Sequence, residues 1–319
     1  MKGTILGFGQ VLWDLTVEVD YPFLQEVDIE KGGHKRVSIE EIKAIVQKLD
    51  TMLKTTIFKN PGGSTANIMS NLAKLGSKSS FCGKHGDDED GWQYMRILEE
   101  EGVEPVSVID TEQATGQLFS LITPDKDRTF IVHWGASEVL EAEEVEDKVI
   151  SNAELAHIEG YLIINSQEVL WKIFEQAQQT TFDLAAHSVI EQTLPTLQKM
   201  MKKYPPYILF ANQYEGEAFT KQKEPAKILD EMLKFSETAV LTYGERGVYT
   251  KTASGKEHFQ KGVPTTVVDT TGAGDAFIAG FLHKFLNDGG IDEACKLGTK
   301  IASYTISEMG ARSFNKDKL

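Results

Sequence analysis

Asp275 stands directly after a turn that holds two glycines, Gly272 and Gly274, in the stretch VVDTTGAGDAFIAGF from Val267 to Phe281. Val267, Val268 and Asp269 read as the end of a strand, and Ala276 onward reads as a helix. A glycine-rich turn feeding a helix start offers free backbone N–H groups at the positive end of a dipole, a setting that suits a phosphate. A carboxylate in the same place repels that phosphate unless it has a task of its own. Two tasks fit the residue. Asp275 can cap the helix N-terminus, a common role for Asp. Alternatively it can serve as a general base, taking a proton from an attacking hydroxyl. The N–H groups of Ala273, Gly274 and Asp275 would then bear the charge of a transferring phosphoryl group.

A second stretch with chemical promise is NPGGSTANIMSNLAKLG. Gly62 and Gly63 let the backbone pass close to a small ligand, and Asn67 lies on the first turn of the helix behind them; a Gly-Gly loop before a helix is also a common plain turn. Other nucleotide signatures are excluded. The chain has no G-x-x-x-x-G-K-[ST], so it carries no Walker-type phosphate loop. GFGQVL begins like a dinucleotide fingerprint but has Leu12 at the third glycine position, and GAGDAF fails in the same way at Phe277. His85, His133 and His187 lack metal-ligand spacing with other His or Cys residues.

The elements that must position these residues follow from periodicity. Thr4–Phe8 reads as a first strand and Asp14–Asp20 as a second, alternating one. Ser38 with Glu41 makes a capping-box pattern ahead of a helix whose apolar stripe is Ile42, Ile45, Val46 and Leu49. The helix after Gly63 stops at Gly76, and GWQYMRILEEEG is a helix closed by Gly102. GQLFSLITPDKDRTFIVHWG reads as a hairpin turning at Pro124 and Asp125. From Leu155 strands and helices alternate: AHIEGYLI, EVLWKIFEQAQ, TTFDLA, a helix near 190–203, YILFAN, AKILDEMLKF and TAVLTYG. A hairpin, GVYTKTASGKEHFQ, then leads to the strand before the Asp275 turn. That rhythm predicts a parallel sheet in an α/β fold. The sheet-like pieces near 11–40 and 113–135 fall outside it and are expected to pair with each other.

Bulk composition narrows the classes. At 319 residues, 41% hydrophobic and 25% charged, the chain can bury a sizeable core. A net charge of −15 argues against nucleic acid or an anionic membrane as partner. A phosphate-rich ligand must therefore be held by local dipoles, a few basic residues and metal ions. Two cysteines, Cys82 and Cys295, are too few for a disulfide framework. There is no signal-peptide pattern and no apolar run near the roughly 20 residues a bilayer span needs. A soluble, cytoplasmic enzyme is expected.

Taken together, the Gly-Gly helix and the DTTGAGD loop resemble the two signatures of the ribokinase-like (PfkB-type) carbohydrate kinases. The resemblance covers essentially the whole chain, including FCGKHGDDEDGWQYMRILEEEGV, TPDKDRTF, the N-x-x-E tetrad Asn212–Glu215 and LTYGERGVYT. The N-terminal GFGQVLWDLTVEVDYPFLQEVDIEKGG and the helix at 38–49 are most similar to the adenosine kinase branch. Gln10 and Val11, however, stand where nucleoside kinases usually show Asn-Pro beside the base pocket, so the acceptor stays open between a ribonucleoside and a sugar.

The resemblance implies a three-layer α/β/α sandwich on a mostly parallel sheet, with a small β-rich lid. Residues 1–10, 61–112 and 136–319 would form the kinase core, and 11–60 and 113–135 the lid and its associated segments. It implies ATP-dependent phosphorylation of a hydroxymethyl group, with Asp275 as base and Gly272, Ala273 and Gly274 as anion hole. Asp14, Gly62, Gly63 and Asn67 match positions that hold sugar hydroxyls, and Arg128 one near the transferring phosphate. Thr242, Gly244, Gly247 and Thr271 match the ATP side. Asn212 and Glu215 match the tetrad that organises Mg²⁺ through water, and Asp269, with Thr271, matches ligands of a monovalent cation such as K⁺. The partner is then a small sugar or nucleoside, and the chain a monomer or a lid-mediated homodimer. Two rival readings are a kinase for a free hexose or ketose such as fructose, and a non-catalytic sugar- or nucleotide-sensing relative.

Overall fold

The structure is a computed structural model that describes residues 4–53, 55–287 and 289–315. Its larger sheet has nine strands in the order β14 (Glu257–Gln260), β13 (Val248–Thr252), β12 (Thr238–Thr242), β11 (Ile208–Asn212), β10 (Thr180–Asp183), β9 (Leu155–Glu159), β1 (Ile5–Phe8), β5 (Ser79–Gly86) and β6 (Val103–Asp110). Neighbours are parallel except around β13, which runs antiparallel to both β12 and β14. Alternate residues feed two cores. Ile5, Ile208, Phe210 and Val240 pack on one side, and Leu6, Leu209, Ala211 and Leu241 on the other. A strand buried on both faces needs a near-continuous apolar run, which is how ILGF and YILFA read.

Helices α3 (Ser64–Leu75), α4 (Glu89–Glu100), α10 (Ala273–Leu286) and α11 (Ile291–Thr305) supply the first core. The second is filled by α5 (Asp147–Ser151), α6 (Gln167–Gln176), α7 (His187–Lys203), α8 (Gln213–Thr220) and α9 (Pro225–Met232). The result is the α/β/α sandwich the resemblance implied. After β1 the chain leaves to one side of the sheet through β5 and β6, and later to the other through β9 to β12. The carboxyl ends of β1 and β9 thus border a crevice where open α/β sheets bind ligands.

A second sheet of five strands runs β3 (His34–Arg36), β8 (Arg128–His133), β7 (Gly116–Ile122), β2 (Leu12–Glu18) and β4 (Phe58–Pro61). The two early sheet-like pieces do pair: β2 lies parallel to β7, and β3 parallel to β8. Leu15, Val17, Phe119, Leu121 and Ile131 share a core with Phe23 and Leu24 of α1 (Tyr21–Glu26) and with Ile42 and Ile45 of α2 (Ile39–Lys48). The capping box that opens α2 is present, with Ser38 Oγ accepting from the Glu41 amide at 3.2 Å and Glu41 accepting from the Ser38 amide at 2.8 Å.

Several sequence expectations shift. The second strand is Leu12–Glu18 rather than 14–20, because Asp20 caps α1 by accepting from the Phe23 amide. The strand from Leu155 stops at Glu159, and Gly160–Ile163 form a 3₁₀ turn. No strand precedes the Asp275 turn. Val268 and Asp269 instead donate their amides to the carbonyl of Ile306 at the end of α11, at 2.8 and 3.3 Å. The edge beside β13 that such a strand would have used belongs to β14.

Candidate active site

Asp275 sits in the first turn of α10, three residues beyond the N-cap Gly272. The capping reading is therefore wrong for Asp275. Its half-buried carboxylate instead accepts from Ser64 Oγ at 2.7 Å and Asn67 Nδ2 at 2.8 Å, both on α3. Burial pushes its pKa up, while the bonds from Asn67 and Ser64 and the charge of Arg312 pull it down. Gly272 is required twice over. Its φ is +74°, and a Cβ there would lie 2.3 Å from Ala311 Cβ. Beside Gly274 there is open space. The amides of Gly274 and Asp275 make no backbone bond among the described residues, whereas that of Ala273 is turned to Thr270 O at 3.3 Å. The amides of this turn without a backbone partner among the described residues are thus those of Gly274 and Asp275, as expected at a helix start.

Asp14 reaches the same neighbourhood from β2. Period-two alternation puts it opposite the Leu15 face that α1 and α2 cover, paired with Leu118 and Asn60. A Cβ on Gly62 would fall 2.4 Å from Asp14 Cγ, so only glycine lets that loop meet the carboxylate. Gly63, with φ +82°, passes equally close to Gln10 O. Burial raises Asp14 to about 6 against the pull of Arg312, with Asp275 adding repulsion. Asn67 connects the two carboxylates' surroundings, donating to Asp275 and accepting from Arg312 Nε at 2.8 Å.

A cavity of about 210 Å³ opens on the other side of Asp275, lined by Asp183, Asn212, Glu215, Thr242, Gly274 and Ser64 among others. Asn212 and Glu215 form a full capping box on α8: the Asn212 amide donates to Glu215 Oε2 at 2.8 Å, and the Glu215 amide to Asn212 Oδ1 at 3.0 Å. The tetrad is thus a cap and a cavity wall together. Burial raises the pKa of Glu215, and burial with repulsion from Glu215 and Asp275 raises that of Asp183 well above the carboxylate range. Burial is the larger cause for both, with like-charge repulsion added at Asp183. Beyond Thr242, Gly244 begins a 3₁₀ turn with φ +55°, and Gly247 at φ +116° passes Gln260 O so closely that a Cβ would lie 2.0 Å away.

Arg128, Asp269 and Thr271 cluster with one another, and the charge of Arg128 also acts on Asp14. Arg128 donates to Thr271 Oγ1 at 3.1 Å and to Asp269 Oδ1 at 3.2 Å, tying β8 to the loop before the anion hole. Asp269 also accepts from the Thr271 amide, the Thr271 hydroxyl and the Gly310 amide. Burial raises its pKa, but these bonds outweigh it and hold the group below its usual value. Three of its four bonds go to Oδ1 and one, from Gly310, to Oδ2. Among the described residues no group of three or more His, Cys, Asp or Glu side chains is arranged to hold a metal.

The sequence reading passed over Ser64, Asp183, Glu159 and Arg312. Glu159 ends β9 and accepts from the amides of Gln10 at 2.8 Å and Thr65 at 3.0 Å, joining the exit of β1 to the start of α3. Burial pushes it up to about 7. Asp183 and Glu159 each close a parallel strand at its carboxyl end, a signal available in TTFD and AHIE.

The site brings together a glycine-rich helix start, a half-buried carboxylate beside it, and a second carboxylate carried by a separate sheet. The chain matches the pfkB family carbohydrate kinase model over residues 33–318 and belongs to that family. It is 30% identical over 246 residues to an uncharacterized sugar kinase of Archaeoglobus fulgidus, covering 76% of this chain and 96% of that one. It is 26% identical over 317 residues to an ATP-dependent ribose-1-phosphate kinase of Halopiger xanaduensis, covering 97% and 94%. The fold matches that of adenosine kinase from Sinorhizobium meliloti with a TM-score of 0.85, at 24% identity and 99% and 97% coverage. The chain is therefore a member of a carbohydrate kinase family, whose reaction is phosphoryl transfer to a carbohydrate hydroxyl. No helix among the described residues is long and apolar enough to cross a membrane.

Proposed function

We propose that this kinase phosphorylates the hydroxymethyl oxygen of a neutral sugar or ribonucleoside, with Asp275 as the general base. The observation that carries the reading is the seating of Asp275. Its carboxylate is fixed between Ser64 and Asn67 while its own amide and that of Gly274, in the same turn, make no backbone bond among the described residues. A proton acceptor and an anion-stabilising pair of amides on the same helix turn are the two parts that phosphoryl transfer to an alcohol requires. Gly272 shapes that turn. Thr242, Gly244, Gly247 and Thr271 border the side from which ATP would present its phosphates.

Asp14, Gly62, Gly63 and Asn67 fit the acceptor side. A carboxylate accepts from two hydroxyls at once, and an analogue lacking one of them leaves it unpaired. Neutrality of the acceptor follows from charge. The ionisable groups facing that side are Asp14 and Asp275, and the adjacent cations are already matched, Arg312 by Glu101 and Arg128 by Asp269. An anionic sugar phosphate would meet carboxylates first.

Mg²⁺ fits the cavity, because Asp183 and Glu215 repel one another there until a cation joins them. Asn212, Glu215 and Asp183 would hold it, and the ion would neutralise phosphate charge. The five-stranded sheet acts as a lid that keeps water from the reacting phosphate, with Arg128 as its link to the anion-hole loop. Its outer face is covered by α1 and α2, which supports a monomer over a dimer joined through that face.

A coupled ADP-release assay across nucleosides, free pentoses and hexoses, and sugar phosphates tests this function. Turnover is expected with a neutral acceptor. Turnover confined to sugar phosphates would contradict the acceptor assignment, and acceptor-independent ADP release would contradict the transfer itself.

A further inference from the structure

Arg312 lies in the segment after α11, yet its side chain is only 8% exposed. Its three nitrogens go three ways: Nε to Asn67 Oδ1 at 2.8 Å, one terminal nitrogen to Glu101 Oε2 at 2.8 Å, the other to Gly62 O at 3.1 Å. Tyr94 also donates to Gly62 O, at 2.6 Å, and the guanidinium lies 5.9 Å from the Tyr94 ring centre. The segment is wedged in from its other side too. Asn71 donates to Ala311 O at 3.4 Å, Lys74 to Arg312 O, and Ala311 fills the space that a side chain at Gly272 would need.

We propose that Arg312 is a positioning residue which fixes the facing of the Asn67 amide, and through it the Asp275 carboxylate, for proton abstraction from the acceptor. The inference rests on the reading of Asp275 as base. Its logic lies in donor chemistry. A guanidinium has donors and no acceptor, so only the carbonyl oxygen of Asn67 can face it. That leaves the Asn67 NH₂ turned toward Asp275, which it meets at 2.8 Å. Remove Arg312 and the amide is free to flip, setting its oxygen against the carboxylate in place of a donor. The fork is held in turn by Glu101 at the end of α4, and bidentate or multiple anchoring of this kind is what distinguishes Arg from Lys. One side chain thereby joins the base's partner to Gly62, the loop that abuts Asp14.

Electrostatics point the same way. The ionisable groups around Asp275 are Asp14 from β2, Glu159 at the end of β9 and Tyr161 just after it, Asp183 from β10, Glu215 from α8 and Arg312. Of these, Arg312 is the cation, and it favours the ionised base that burial opposes. A base acts only when ionised, so losing this charge moves the acid limb of the rate profile to higher pH.

The test compares Arg312→Gln, Arg312→Lys and Asp275→Asn by kcat at saturating acceptor against pH, alongside Tm and ATP binding. For Arg312→Gln, kcat should fall about ten- to a hundredfold, the usual scale for a displaced catalytic group, with its acid limb at higher pH and ATP binding kept. Arg312→Lys should hold the acid limb near wild type, since the charge stays, but not recover kcat, since the directed bond to Asn67 is lost. Activity losses that merely follow Tm, with an unmoved acid limb in Arg312→Gln, would overturn the proposal. Should Arg312→Gln fail to fold, wild-type kcat in Arg312→Lys would overturn it equally. If Asp275→Asn turns over like wild type, the base assignment fails first, whatever Arg312 does.

Discussion

The two sheets handle polar chemistry in opposite ways. The nine-stranded sheet is covered on both faces, and its functional groups gather at strand ends and helix starts: Asp183 on β10, Asn212 on β11, Gly274 and Asp275 on α10. The five-stranded sheet is covered on one face by α1 and α2, and its polar contribution comes from the middle of a strand, at Asp14 on the other face. A strand end at a topological switch point can hold donors for a fixed, charged group, because loops and helix dipoles converge there. A strand face presents alternate side chains to a variable one. Under the proposed function, phosphate chemistry falls to the large sheet and acceptor selection to the small one.

The comparison breaks most visibly at Asp275. Asp275→Asn keeps the shape and removes the base, so kcat should fall about 10²- to 10⁴-fold while calorimetry finds ATP binding close to wild type. Turnover within a few-fold of wild type would return Asp275 to a structural role. Next in size is the cavity wall. Glu215→Gln should lower turnover about tenfold and move the Mg²⁺ titration to higher concentration, because one of the two opposed carboxylates has lost its charge. An unmoved titration would leave Asn212–Glu215 as a helix cap alone.

The smallest effect sharpens the acceptor side. Burial lifts Asp14 to about 6, and only the ionised carboxylate accepts from two hydroxyls. Acceptor KM should therefore fall as pH rises through about 6, and this dependence should flatten in Asp14→Asn. The sign is fixed: a raised carboxylate pKa means that acidification removes the binding form. A KM that stays flat in wild type, or still varies in Asp14→Asn, would separate Asp14 from the acceptor.

Sequence alone made much of this legible, and for local reasons. The doubly buried strands declare themselves by apolar runs, α2 by Ser38 and Glu41, and the end of α3 by Gly76 at φ +95°. The DTTGAGD loop stood out because two glycines ahead of a helix mark a tight turn by residue type alone, whereas the packing of Gly272 on Ala311 left no local trace. Strands β3, with three residues, and β6, an edge strand holding Pro105, carried too little pattern to be read. The strand expected before Asp275 was lost to a tertiary bond with Ile306. Ser64 and Arg312 escaped for the same reason, reaching Asp275 and Asn67 across 211 and 245 residues of chain. Spacing along a sequence cannot register such contacts.

The proposed function requires both sheets to meet on one acceptor molecule, Asp14 at its hydroxyls and Asp275 at its reacting oxygen. A double-mutant cycle on kcat/KM tests it most directly, crossing Asp14→Ala with removal of a hydroxyl from the best acceptor. Bonds to a charged acceptor group are worth roughly 1.5–3 kcal/mol each, so Asp14→Ala should cost on the order of 10²-fold with the parent compound. With the deoxy analogue that lacks the bonded hydroxyl, the loss should shrink, a coupling between neighbours in contact. Strict additivity for every deoxy analogue would contradict the claim and take Asp14, with the sheet that carries it, out of the acceptor site.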